Sequence, residues 1–303
     1  MPRLLDLRYR LEYYALRGVA GFIRSMPLET AANFSAAAWG LIAPRLRRHS
    51  RALANLAIAY PEKSVAEREA IARAMWQNLG RVMAETMQID RIIADPSRIE
   101  IVTPMFQRYK DKLGAAVGVS LHTGNWELAI WPLTVAGANP AAVYRSVKNP
   151  YVDQYLRDMR RDLYPGGLIG KGITFTPDGD WFDNGLQIAR VSMEHVRRGG
   201  RIGIVSDLHD RTGIPVDFFG TPARSVALPA VLARRLGARI WLARCIRVGD
   251  QSRFRIELKE LRVPRSGSQA DDVREITATM QKAFEAWIRE YPEQWMWSNR
   301  RWS

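Results

Sequence analysis

The sequence predicts an α/β fold with a mixed, largely parallel sheet flanked by helices. Two observations carry this. Residues 1–94 read as helical throughout, and from about residue 98 short β-branched runs alternate with helical stretches. A third observation narrows the field: the chain has no internal repeat or low-complexity tract, and a single cysteine.

In the helical part, Ser64 precedes Glu67 by three residues, the reciprocal capping pattern that opens a helix. Ile71, Met75, Leu79, Val82 and Met83 then recur at roughly the 3.6-residue helical period. That period assigns Met75, Met83 and Met87 to packing. Further on, residues 115–121 and 141–146 read as strands, with helices over 125–137 and 151–163. Strands follow at 201–207, 214–219, 238–248 and 253–259, with helices at 228–237 and 271–291. In such sheets the ligand site lies at the carboxyl ends of the strands.

With 303 residues the chain fits one large domain or two small ones. Hydrophobic residues at 47% and charged residues at 25% exclude a disordered or collagen-like chain. Cys245 alone excludes a disulfide framework and a cysteine-based zinc site. A net charge of +14 favours anionic partners: nucleic acid, an anionic membrane or an acidic carrier protein. No helix-turn-helix, zinc-finger or aromatic RNA-binding signature is present, so nucleic acid is not expected.

The N-terminus is not a secretory signal, because Arg3, Arg8, Arg10, Arg17 and Arg24 interrupt its apolar residues. The uncharged run from Thr30 to Pro44 is shorter than the ~20 residues a spanning helix needs. Arg45, Arg47, Arg48 and Arg51 follow it directly. The segment reads either as a helix on an anionic membrane surface or as a buried hairpin with a solvated basic end.

The first strand-to-helix junction is Ser120-Leu-His-Thr-Gly-Asn-Trp-Glu127. His122 stands at the strand end, and Asn125 is a good N-cap for the helix. Glu127 falls in the first helical turn, where its carboxylate can fold back on the imidazole. An imidazole oriented by a carboxylate is a general base. His49, His195 and His209 lack an acid five residues on. Asp207 ends a second predicted strand and is a site candidate by the strand-end rule. Cys245 lies inside a predicted strand as a packed small hydrophobe. Ser120 and Ser206 lack the nucleophile elbow of serine hydrolases.

The His-Thr-Gly-Asn-Trp-Glu stretch resembles the signature of the bacterial lipid A biosynthesis (lauroyl/myristoyl) acyltransferases. These are a branch of the glycerolipid acyltransferase superfamily, which carries His-x4-Asp or Glu. The resemblance continues through Tyr144–Pro150 with Tyr155 and Arg160, through Val205–Asp210 and Val216–Ala223, to Tyr291–Trp302. It spans about residues 50–302. The chain departs from the family pattern at Leu208, and in a Gly- and Asp-rich stretch over 165–185 that looks longer than usual.

The resemblance implies a glycerolipid-acyltransferase-like sheet domain over 51–303, behind a helical membrane-association segment over 1–50. It implies transfer of a fatty acyl group from acyl carrier protein, or coenzyme A, to a hydroxyl of a lipid A precursor. His122 is expected as general base oriented by Glu127. Asn125, Arg145, Asn149 and Asp207 are expected to bind substrate. The oxyanion donors are expected from the Thr123–Asn125 backbone or Arg145, which alternatively binds a phosphate. No metal or organic cofactor is required. The expected location is the cytoplasmic face of a bacterial inner membrane. Another lipid acceptor, such as a lysophospholipid, aminolipid or glycolipid, fits the same motifs. A basic membrane-surface binding protein without chemistry is the non-enzymatic alternative. Arg197, Arg198 and Arg201, and Arg234, Arg235 and Arg239, form two basic clusters, either partner-binding or solvated helix ends. Trp295, Trp297 and Trp302 sit either at a headgroup boundary or in the core.

Overall fold

The computed structural model describes residues 3–102, 114–171, 173–175, 181–183 and 185–302. Helices α1 (Arg3–Arg24), α2 (Leu28–Ile42), α3 (Arg47–Ala59), α4 (Val65–Thr86) and α5 (Ile89–Ile93) open the chain. Then come β1 (Ile99–Ile101), β2 (Ala116–Ser120), α6 (Trp131–Val135), β3 (Ala141–Arg145), α7 (Pro150–Met159) and β4 (Leu168–Lys171). A small hairpin, β5 (Ile173–Phe175) and β6 (Trp181–Asp183), leads to α8 (Gly185–Arg197) and β7 (Arg201–Val205). The chain closes with β8 (His209–Phe218), β9 (Thr221–Ser225), α9 (Leu228–Leu236), β10 (Arg239–Arg247), β11 (Phe254–Leu261) and α10 (Gln269–Glu290).

Seven strands form one sheet in the order β1-β11-β10-β2-β7-β3-β4. Every neighbouring pair is parallel except β10–β11. One face buries Val117, Val119, Leu121, Ile202 and Ile204 against α3, α4, α9, α10 and the C-terminal tryptophans. The other buries Ala116, Ala243 and Ile256 against Leu128, Ile130 and Leu133. Gly118 and Gly203 pair across β2 and β7. A Cβ on Gly203 would stand 3.0 Å from Ile130 Cδ1, so the glycine pair lets the 126–135 segment lie close on the sheet.

The expected capping box is present. Glu67 N donates to Ser64 Oγ at 3.2 Å, and Ser64 N donates back to Glu67 at 2.8 Å. Met75 is buried as the period requires, whereas Met83 points outward. The expected boundary at residue 50 falls inside α3. α2 packs on α4 so closely that a Cβ on Gly80 would meet the Ser35 carbonyl at 2.5 Å. The run from Thr30 to Pro44 is therefore half core and half surface: Ala31, Ala32 and Ala36 are buried, while Phe34, Leu41 and Ile42 are exposed. Among the described residues no helix is long and apolar enough to cross a membrane. The 165–185 stretch supplies β4 and the β5–β6 hairpin; residues 172, 176–180 and 184 lie outside the described residues.

The basic clusters are largely spoken for within the fold. Arg197 and Arg198 both pair with Glu194, Arg234 pairs with Asp272, and Arg239 pairs with Glu260. The three C-terminal tryptophans are core residues rather than a headgroup belt.

Candidate active site

The register of two neighbouring strands builds the site. Ser120 on β2 pairs with Val205 on β7. Two residues beyond each, where the strands end, stand His122 and Asp207. The His122 backbone N–H donates to Asp207 Oδ2 at 2.9 Å, and its Nδ1 meets Asp207 Oδ1 at 2.8 Å. Trp295 Nε1 donates to the same carboxylate at 2.7 Å. Asp207 is fully buried, and three donors favour its ionised form. With Nδ1–H held by a carboxylate, the hydrogen-bond pattern assigns the lone pair to Nε2. Nε2 makes no hydrogen bond to the described residues, and the ring keeps 19% exposure beside Trp126.

The carboxylate on His122 is thus Asp207, which corrects the expected pairing with Glu127. Glu127 is held elsewhere: Arg160, at the C-cap of α7, grips it at 2.7 and 2.5 Å. Burial works against ionisation of Glu127, and the Arg160 guanidinium overcomes it, so its pKa lies below the usual value. Burial likewise opposes the imidazolium of His122. Asp207, with a smaller contribution from Glu127, overcomes that too, leaving His122 above an ordinary histidine. Asp207 is depressed despite its burial, by His122 and Trp295.

The turn between His122 and Glu127 is shaped by Gly124. Its φ is +55°, and a Cβ there would stand 2.1 Å from the Cys245 carbonyl oxygen. Its N–H donates to Gln294 O at 3.2 Å, and that of Thr123 to Leu121 O at 2.9 Å. The Asn125 N–H is directed at the Cys245 sulfur. The expected oxyanion donors of this backbone are therefore engaged within the protein. The Cys245 thiol, buried, is pushed up to about 12 and stays neutral, as a packed residue would.

The other expected site residues divide. Asn125 occupies the N-cap position without a side-chain cap bond; it is fully buried, and its Nδ2 donates to Glu85 at 3.0 Å. Asn149 caps α7 through Tyr151 N and Val152 N, and its Nδ2 donates to Tyr9 O and Glu12. Both are structural joints in this geometry. Arg145 is exposed at the end of β3 and makes no hydrogen bond or ion pair with the described residues. No group of three or more His, Cys, Asp or Glu side chains among the described residues is placed to hold a metal ion.

Behind the turn lies a sealed polar cluster that no local motif marks. Arg247 on β10 is bidentate to Glu85 on α4, and its Nε donates to Asn78 at 3.0 Å. Asn78 in turn reaches Gly124 O and Gln294 O, and Ser252 Oγ donates to Glu85 at 2.8 Å. Glu85 and Arg247 are 162 residues apart, so no local spacing marks them. Arg160 carried a weak sign, as part of the second family-like block.

The full chain, residues 1–303, matches the sequence model for bacterial lipid A biosynthesis acyltransferases. It is 34% identical over 92 residues to a phosphatidylinositol mannoside acyltransferase of Mycolicibacterium smegmatis, covering 30% of this chain and 28% of that protein. It is 25% identical over 219 residues to a phosphatidylinositol mannoside acyltransferase of Mycobacterium tuberculosis, covering 71% of this chain and 61% of that protein. The aligned part is less than two thirds of each relative.

Proposed function

The chain belongs to the bacterial lipid A biosynthesis acyltransferase family, and on that premise we propose that it transfers a fatty acyl group from a thioester donor to a hydroxyl of a saccharide-bearing lipid. A lipid A precursor is the first candidate acceptor and acyl carrier protein the first candidate donor, with coenzyme A the alternative. The observation that carries the reading is His122, whose Nδ1 is fixed by buried Asp207 and whose Nε2 has no hydrogen-bond partner among the described residues. His122 Nε2 removes the hydroxyl proton as the oxygen attacks the thioester carbonyl. Asp207 holds the tautomer and stabilises the imidazolium that forms. The proton then passes from His122 to the departing thiolate. Glu127, ionised and paired with Arg160, adds a weaker negative potential at His122. Arg145, at the same strand-end edge, is the remaining candidate for an oxyanion or a phosphate.

A second acceptor reading rests on the mycobacterial relatives, whose names specify phosphatidylinositol mannoside. The two readings share the mechanism and differ in the sugar. Membrane association belongs to the proposal as well. Leu4, Leu7, Leu11, Tyr14 and Phe22 form an exposed stripe along α1, which continues into Phe34 by an edge-to-face contact at 5.8 Å. Arg47, Arg48 and Arg51 are exposed on α3. Apolar stripe and basic residues suit the anionic cytoplasmic leaflet of an inner membrane.

The test is acyl transfer by purified protein in detergent. Acyl carrier protein and coenzyme A thioesters are offered with tetra-acylated lipid A precursor or with phosphatidylinositol mannoside. Wild type transfers and His122→Ala loses about 10²–10⁴-fold, the usual scale of general-base help. A retained rate in a folded His122→Ala protein would sink the mechanism. Transfer to the mannoside alone would move the acceptor and keep the chemistry.

A further inference from the structure

Arg301 is a fully buried cation that pairs with no carboxylate among the described residues. Its Nη1 donates to Arg224 O at 3.2 Å, and its Nη2 donates to Ser225 Oγ at 2.8 Å and Gln281 Oε1 at 3.0 Å. Its Cζ lies 4.2 Å from the Phe218 ring centroid, and its Nε finds no acceptor among the described residues. A charge held among neutral groups is strongly disfavoured unless an opposite charge lies near. Two short paths lead from this cation to Asp207. Gln281 Nε2 donates to Ser206 O at 2.9 Å, one residue before Asp207. Phe218 meets Trp295 at 5.9 Å, and Trp295 donates to Asp207. Burial lowers the guanidinium to about 10, and Asp207 is the charge that opposes this.

We propose that Arg301 is a positioning residue for the His122–Asp207 pair: seated on Phe218 and Gln281, its buried cation keeps Asp207 ionised and in place and thereby sets the basicity of His122. The proposal rests on the reading of His122 as the general base. Of the other charged groups, Glu127 with Arg160 lies on one side of the pair, and His209, two residues beyond Asp207, sits among Asp210, Arg224 and Arg300. Arg301, like Glu127, is sealed from water, where its field is least screened.

The sign follows from charge. Removing the cation leaves the pair more negative, so the imidazolium is favoured and His122 titrates at higher pH. In Arg301→Gln, the NMR titration of the His122 imidazole, assigned with His122→Gln, is expected to move up by about half a unit or more. The acid limb of kcat/KM moves with it, so activity below the limb falls about threefold. Arg301→Lys, which keeps the charge, stays within about 0.2 unit of wild type while its unfolding midpoint drops. A role in packing alone predicts lower midpoints in both variants with no movement of the titration. An unmoved His122 in folded Arg301→Gln overturns the proposal, as does an equal shift in the lysine variant. If Arg301→Gln does not fold, Ser225→Asp decides: a carboxylate beside Nη2 offsets the cation and is expected to raise His122 similarly, and no shift there overturns the proposal. The titration needs no turnover, so it stands or falls separately from the acyl-transfer assay.

Discussion

The first helix and the last dozen residues draw on the same kinds of side chain, and the fold treats them in opposite ways. Both mix arginines with large apolar and aromatic groups. Along α1, Leu4 is 83% exposed and Leu11 62%; in the C-terminal segment Trp295 is at 1% and Arg301 at 0%. The difference lies in where the polar atoms find partners. Trp295 Nε1 has Asp207, Trp297 Nε1 has Pro292 O, and Arg301 has Ser225 and Gln281. The segment therefore enters the core with most of its hydrogen bonds met. α1 spends its polar groups on one side only: Asp6 accepts from Tyr151, Glu12 accepts from Asn149, and Tyr13 meets Tyr155. Its other side is left apolar and uncovered. The same ingredients make a site support in one case and a surface in the other.

The largest expected effect tests the buried end. Trp297→Ala removes a fully buried indole and is expected to cost about 3–5 kcal/mol in urea unfolding. A loss near zero would place the tail on the surface with α1. Next comes the turn that the tail braces. Gly124→Ala meets both a left-handed backbone and the Cys245 carbonyl, and should cost well over 1 kcal/mol, with at least a tenfold fall in turnover. Unchanged melting and rate would mean that the turn is freer than its contacts imply.

Acid stability separates the two regions by burial. Asp207 and Glu127 are buried with depressed pKa values, so their stabilisation is full above the usual carboxylate range and is lost as pH falls through their folded values. Asp6 and Glu12 are depressed too, by Tyr151 and Arg8 respectively, but lie at the surface where salt screens them. His122 runs the other way: its raised pKa gives stability that is full below the ordinary histidine value and fades as pH rises through the folded one. The stability gap between wild type and Asp207→Asn should therefore narrow below about pH 4 and persist in high salt. A gap that salt abolishes would move the acid-sensitive contact to the surface. The smallest expected stability change belongs to α1. Leu7→Glu with Leu11→Glu should leave unfolding within about 0.5 kcal/mol of wild type. Flotation with anionic liposomes should fall at least tenfold, since each buried leucine contributes about 1.5–3 kcal/mol. Destabilisation on the scale of Trp297→Ala would show that this stripe is core.

Much of the fold was legible because its signals are local. The Ser64–Glu67 box, the helical period beyond it, and the alternation of apolar strands with helices lie within short windows, and the structure contains the corresponding elements. β1, β4, β5, β6 and β9 carry no such signal: they are short, and β9 mixes proline and arginine with small residues. α8 was hidden behind the Gly- and Asp-rich stretch. At the site, His122 and Asp207 both stood out as strand ends. Which acid would meet the imidazole did not, because Glu127 is near in sequence and Asp207 is 85 residues away.

Composition, period and turn chemistry act over a few residues, and they are enough for the α/β class, the helical N-terminal region, the His122 turn and the net positive charge. The pairing of the site residues comes from the fold. The parallel register of β2 with β7 carries His122 and Asp207 to the same level, α7 brings Arg160 to Glu127, and the chain end folds back to place Trp295 and Arg301 behind the site. Charge pairing depends on distance in space, and in this chain the register of two strands sets that distance.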